Sequence, residues 1–241
     1  MIEEFIAYAS AYNPVFAASI RGATPLQLAE LERLVGRPLP AYYKEFLSRM
    51  GQDDVGLSAA EDATMAVDGI IDYYRNYIVP GERTIPPNCI VIGAYSQVMD
   101  VSLHCVGDDE PRVYFTEDHL YQPWADSLEK LLFRTAFQKF RGRQFSHELN
   151  IGPEKDLGRR RLLASASELA ERLGFQRERF SDSVAFCGEH KVGAVQILQT
   201  DDAPIGIRLY GNNLNELEPI AAKFGAELGL ITPADRGSRS R

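Results

Sequence analysis

Few side chains in this sequence could do chemistry. The histidines are His104, His119, His147 and His190, and the cysteines are Cys89, Cys105 and Cys187. His104 and Cys105 are neighbours, of the types that make a thiolate nucleophile or a pair of zinc ligands. They fall in a run that reads as a β-strand, Val98 to Val106. Neighbouring side chains on a strand point to opposite faces, so the pair cannot easily share one metal or act as a dyad. His119 and His147 lack Cys or His at ligand spacing, and His190 falls in a predicted hairpin turn. Asp108, Asp109 and Glu110 lack the Asx spacing and closing Glu of an EF-hand loop, and read as an acidic hairpin tip. The GxxxxGKS/T phosphate loop, GxGxxG, HExxH and GxSxG are all absent. The cysteines are odd in number, far apart and without a CxxC pair, which reads as free thiols. No catalytic residue, metal or cofactor is expected.

What remains is the chemistry of contact. Residues 51–126 hold 14 acids against the bases Arg75, Arg83 and Arg112, a net charge of −11, whereas residues 151–241 hold 13 of each sign. Such a surface should repel nucleic acid and attract basic proteins. The acids that form a candidate partner-binding surface are Asp53, Asp54, Glu61 and Asp62, the turn Asp108, Asp109 and Glu110, and Glu117 with Asp118. A second candidate surface is Tyr121 and Trp124, because Tyr and Trp are enriched at binding hot spots when exposed. The competing reading places the lone Trp124 in the core or at a domain junction, and the acids as loop-solvating groups.

The elements that position these residues are organised around Gly22 to Gly51. Thr24 is set to cap a helix reciprocally with Gln27, and Pro25 fits its first turn. Leu28, Leu31, Leu34 and Val35 share one face, and Gly36 can supply the left-handed residue that ends the helix. Pro38 and Pro40 stiffen the hinge to a second helix with Tyr43, Phe46, Leu47 and Met50 on its apolar face and Gly51 as its stop. An amphipathic helix with Ile2, Phe5, Ile6 and Ala9 comes before, and a loop rich in acids follows at 51–66. Helical spacing resumes at Ile70, Ile71, Tyr74 and Ile78. Strand runs at 89–92, 98–106 and 112–115 predict an antiparallel sheet, and Asp126-Ser127 can cap a closing helix with Leu128, Leu131 and Leu132 inward.

The residues Leu31-Glu32, Leu39-Pro40, Tyr42-Tyr43, Phe46-Leu47 and Gly51, with a looser pattern from Pro87 to Gly93 and Arg112 to Leu132, resemble the opening signature of the SUKH superfamily, which contains the Smi/Knr-type domains. The resemblance covers roughly residues 1–140. One departure is that Gly51 is followed by Gln52-Asp53-Asp54, where members often carry a Gly-Gly pair. The resemblance implies an α+β domain that binds protein without catalysis, found largely in bacterial toxin-immunity proteins and also in fungal cell-wall regulators.

The expected organisation is therefore a SUKH-like domain at 1–143, with helices on a mainly antiparallel sheet, and a linker at 144–160. A small α+β domain follows at 161–231, a sandwich of helix, three strands and helix, and then a disordered tail at 232–241. In its third strand Ile205, Ile207 and Leu209 should face a covered side, and Gly206, Arg208 and Tyr210 an open one. The start lacks the basic region of a signal peptide and no run is long enough for a membrane span, which reads as a cytoplasmic protein. The leading expectation is an immunity protein whose acidic face occludes a basic toxin. An intracellular scaffold or regulator without a toxin partner is the alternative, and an enzyme reading rests only on the unassigned second domain.

Overall fold

In the computed structural model the described residues are all except 1, 54–55, 58–62, 97–98, 107–109, 118–119, 154–159, 202 and 232–241. The chain is α+β and divides into two compact units, Met1–Ala136 and Phe137–Arg241.

The first unit begins with α1 (Ile2–Tyr12), which buries Ile2, Phe5, Ile6 and Ala9 as its spacing predicts. A single turn, α2 (Phe16–Ser19), sets Phe16 edge-on to Phe5 at 5.9 Å. Next comes α3 (Pro25–Val35), with the predicted reciprocal cap: Gln27 N–H donates to Thr24 Oγ1 at 3.3 Å, and Thr24 N–H to Gln27 Oε1 at 2.8 Å. Gly36 ends it at φ 76°, a left-handed conformation that glycine adopts without a Cβ clash. Tyr43, Phe46, Leu47 and Met50 are all buried on α4 (Ala41–Met50). Gly51 stops α4 by a different route from the one its sequence suggests. Its φ is −79°, and what excludes a side chain is space, since a Cβ would stand 2.6 Å from the Leu47 carbonyl oxygen. The chain before α3 crosses the same helix end, with Ala23 N–H bonded to the Leu47 carbonyl at 2.8 Å. A Cβ on Gly22 would meet the Ser48 carbonyl oxygen at 1.9 Å.

After α5 (Val67–Tyr73), the helix widens into a π-turn over Tyr74–Ile78. Consecutive residues Tyr73 and Tyr74 are both buried there. The sheet has the order β1-β2-β3-β4, antiparallel throughout: β1 (Cys89–Ser96), β2 (Met99–His104), β3 (Arg112–Glu117) and β4 (Leu120–Ala125). The fourth strand has no clear sequence signature, because Pro123 interrupts it. A proline inside a strand is confined to sheet edges and bulges, and β4 is an edge strand with a register shift beside Pro123. The last helix of the unit, α6 (Leu128–Ala136), packs on β3, β4 and α1. Ser127 Oγ accepts from Lys130 N–H at 3.2 Å at its start, as the predicted cap requires.

The second unit is a five-stranded antiparallel sheet with α7 (Leu163–Arg172) and α8 (Leu214–Leu228) on one face. In chain order its strands are β5 (His147–Ile151), β6 (Gln176–Arg177), β7 (Ala185–His190), β8 (Gly193–Leu198) and β9 (Gly206–Gly211), arranged β5-β9-β8-β7-β6. The three expected strands are present as β7, β8 and β9. The two additional strands lie at the edges. Residues 147–151, assigned to a linker by sequence, pair with β9 through register partners such as Leu149 with Leu209. Only Leu149 and Ile151 of this strand are buried, too short an alternation to stand out. Both join the core of Val195, Ile197, Ile207, Leu209 and Phe224. The expected open face of β9 is closed at Tyr210, which is 2% exposed. Its ring stacks on Phe145 at 6.4 Å, and a Cβ on Gly142 would stand 2.9 Å from it.

Candidate functional site

The candidate contact surface lies on the first unit, and its geometry starts from β2. Within that strand Val101 and Leu103 alternate with Asp100 and Ser102, and all four are buried, so both faces of the sheet are covered there. On the polar face Asp100 stands opposite Thr116 of β3, and Thr116 stands opposite Tyr121 of β4. Arg83, which follows the π-turn, donates from its guanidinium to Asp100 Oδ2 at 3.0 Å, and the Tyr73 hydroxyl lies 3.4 Å from the same oxygen. Arg83 and Asp100 are 8% and 1% exposed. Burial pushes the Asp100 carboxyl above the ordinary carboxylate range, with Arg83 pulling it back. Burial likewise raises the Tyr73 phenol, and pushes that of Tyr74 up to about 12, where its oxygen accepts from Val91 N–H at 3.1 Å.

Tyr121 ends this row at the sheet edge, 41% exposed and within the field of Arg83 and Asp100. Its neighbour Leu120 is 58% exposed. Trp124 is half-buried: its ring lies 5.4 Å from Phe115, the Arg134 guanidinium sits over it at 5.6 Å, and Arg134 donates to its carbonyl at 2.6 Å. Within the pair read together from sequence, Tyr121 is thus the exposed residue, while Trp124 fastens β4 to α6.

Of the acids, Asp53, Glu110 and Glu117 are exposed, whereas Asp54, Glu61, Asp62, Asp108, Asp109 and Asp118 lie outside the described residues. Glu117 ends β3 beside Tyr121, opposite Leu120 in register. Glu110 precedes the other end of that strand. Six residues of strand span about 17 Å, so Glu110 and Glu117 mark opposite ends of the sheet and not one cluster. The Arg83–Asp100 pair was missed from sequence, where both residues entered only as charges to be counted. The available signal was an Asp among the apolar residues of a strand run. Because the two charges cancel, their burial leaves the net charge of the segment unchanged.

His104 ends β2 edge-on to Tyr114 at 5.2 Å, and Cys105 lies just past the strand. Cys89, Cys105 and Cys187 are free thiols, and burial raises those of Cys89 and Cys105, which disfavours the nucleophilic thiolate. His190 packs on Phe175 at 5.3 Å, and His119 lies outside the described residues. Among the described residues no group of His, Cys, Asp or Glu side chains could hold a metal ion. A polar groove of about 430 Å³ in the second unit is lined by Arg161, Ser167, Asp182, Gln199 and Asp201, among others. Its polar groups serve the fold. Gln199 Oε1 accepts from Leu162 and Leu163 N–H at the start of α7, Asp182 accepts from Val184 and Ala185 N–H, and Arg161 pairs with Asp201 at 3.3 Å. Among the described residues no helix is long and apolar enough to cross a membrane.

Residues 22–134 match the model of the SMI1 / KNR4 family (SUKH-1). The match starts at the glycine that crosses α4 and ends within α6, so it spans α3 to β4 and the polar row that ends at Tyr121. No curated protein and no solved structure matches the chain.

Proposed function

From the SUKH-1 domain carried by its first unit, we propose that this chain is a non-catalytic protein-binding module, and specifically a bacterial immunity protein that neutralises a cognate toxin by occluding its active site. The family match carries this reading, because immunity is the setting the resemblance implies for such domains. The charge distribution supplies the partner's chemistry. With −11 on residues 51–126, the unit suits a basic protein, as a nuclease toxin with a cleft built for phosphates would be. Long-range attraction would lift association above the neutral range of about 10⁵ to 10⁶ M⁻¹s⁻¹. The interaction takes place in the cytoplasm, where such a toxin finds its target. Asp53, Glu110 and Glu117 are the described acids of the surface, and Tyr121 is its aromatic anchor.

The test is protection. Where a toxin-like reading frame lies beside this gene, cells carrying its product should survive when they express the chain. Replacing Asp53, Asp54, Asp108 and Asp109 with lysine reverses four formal charges and should abolish survival while leaving the melting temperature within a few degrees of the parent. Survival undiminished by the reversal counts against an acidic docking face. A partner that is a cellular regulator rather than a toxin would favour the scaffold reading.

A further inference from the structure

The polar face of the first sheet carries more hydrogen-bonding groups than its direct contacts use. Asp100, Ser102 and Thr116 are each 1% exposed. Oδ2 of Asp100 is taken by Arg83 at 3.0 Å, with the Tyr73 hydroxyl at 3.4 Å. Its other oxygen, Oδ1, is buried and meets no hydrogen-bond partner among the described residues, and the same holds for Ser102 Oγ and Thr116 Oγ1. Buried polar atoms are costly in that state, and in folded proteins nearly all find a partner in protein or in ordered water.

The register brings these oxygens together. Asp100 of β2 stands opposite Thr116 of β3, which places their Cβ atoms about 5 Å apart, and Ser102 lies two residues along β2 on the same face. The Thr116 hydroxyl is near the carboxylate without bonding to it: burial raises the Asp100 carboxyl, and Thr116 is one of the groups that pull it back. Ser102 stands in the same relation to the buried Cys89 thiol of β1.

We propose that Asp100 Oδ1, Thr116 Oγ1 and Ser102 Oγ together hold one internal water molecule, a binding site that ties β2 to β3 beside the Arg83–Asp100 pair. Charge decides against an ion. Arg83 and Asp100 already cancel, so a bound cation would leave a buried positive charge uncompensated, and a bound anion would face a carboxylate oxygen. The guest is therefore neutral, donating to Oδ1 while exchanging hydrogen bonds with two hydroxyls. Water offers two donors and two acceptors, and a buried water typically makes about three hydrogen bonds. Two bonds of about 2.8 Å bridge oxygens up to about 5.6 Å apart, the span of a register pair. The site lies directly behind Tyr121, which stands opposite Thr116 on β4.

The first measurement is a crystal structure of the full chain at a resolution that shows ordered water. A water within about 3.2 Å of both Asp100 Oδ1 and Thr116 Oγ1 is expected. A direct bond between those two oxygens, with no water bridging them, would overturn the proposal. Solution gives a second reading, because oxygen-17 magnetic relaxation dispersion counts the waters held longer than the chain takes to tumble. Thr116→Val keeps the shape of the side chain without its hydroxyl and should lower that count by one. Thr116→Ser keeps the hydroxyl and should preserve the count. An unchanged count in folded Thr116→Val, or an equal loss in both variants, would also overturn the proposal. Should Thr116→Val fail to fold, the crystal structure of the parent chain decides.

Discussion

Asp100 is the residue whose role is least visible in its type. A carboxylate in the middle of a sheet is costly unless it is paired, and Arg83 and Tyr73 supply that pairing from the segment packed over it. Removing one partner leaves a buried charge uncompensated. Asp100→Asn is therefore expected to destabilise the first unit by about 3 to 5 kcal/mol, with a substantial part recovered on adding Arg83→Met, as read by denaturant melts of the single and double variants. Equal melts for the single and double variants would mean that the pair does not act as a unit. Glu30 is the opposite case, a surface carboxylate held down at about 2 by hydrogen bonds from Arg33, first, and from Arg75. Its folded value lies below the unfolded one of about 4.5, so its contribution is complete above pH 4.5 and is lost as pH falls towards 2. A carboxyl titration followed by NMR should show that midpoint. It should rise more in Arg33→Ala than in Arg75→Ala, and high salt should narrow the difference because the group is exposed.

Elements were legible where local chemistry and packing agree. Thr24, Gln27 and Gly36 carry their instructions within a few residues, and Tyr43, Phe46, Leu47 and Met50 repeat at the helical period, so the caps of α3 and the inward face of α4 were readable; of the stripe expected on α3 only Leu31 is buried, and the stop of α4 at Gly51 depends on crowding against Leu47. Thr24→Ala should cost about 1 kcal/mol and Phe46→Ala about 3 to 5 kcal/mol in the same thermal melt. Near-equal losses would mean that cap and core have been misassigned. The strands at the sheet edges, β4 and β5, were not legible. One contains Pro123, and the other has only Leu149 and Ile151 to mark it, so their existence depends on partners distant in sequence. The site followed the same division. Tyr121 could be picked out as an aromatic among acids, but its exposure beside a half-buried Trp124 depends on where β4 ends and where Arg134 reaches.

At the scale of the whole molecule the proposed organisation is a binding domain followed by a second domain whose own role is unassigned. Because β5 completes the second sheet, a fragment starting at Phe137 should melt as a unit, while one starting at Arg161 loses Leu149 and Ile151 and should be at least about 4 kcal/mol less stable. Equal stability would restore residues 144–160 to a linker role. The acidic excess belongs wholly to residues 1–150, and the family match to residues 22–134, so the binding claim rests on the first unit. Its most direct test is the association rate of the full chain with its captured protein partner, measured across ionic strength. With a screening length of about 8 Å at physiological salt, an acidic docking face predicts a rate that falls at least about tenfold between low and high salt, with dissociation changing less. An association rate indifferent to salt would contradict the account.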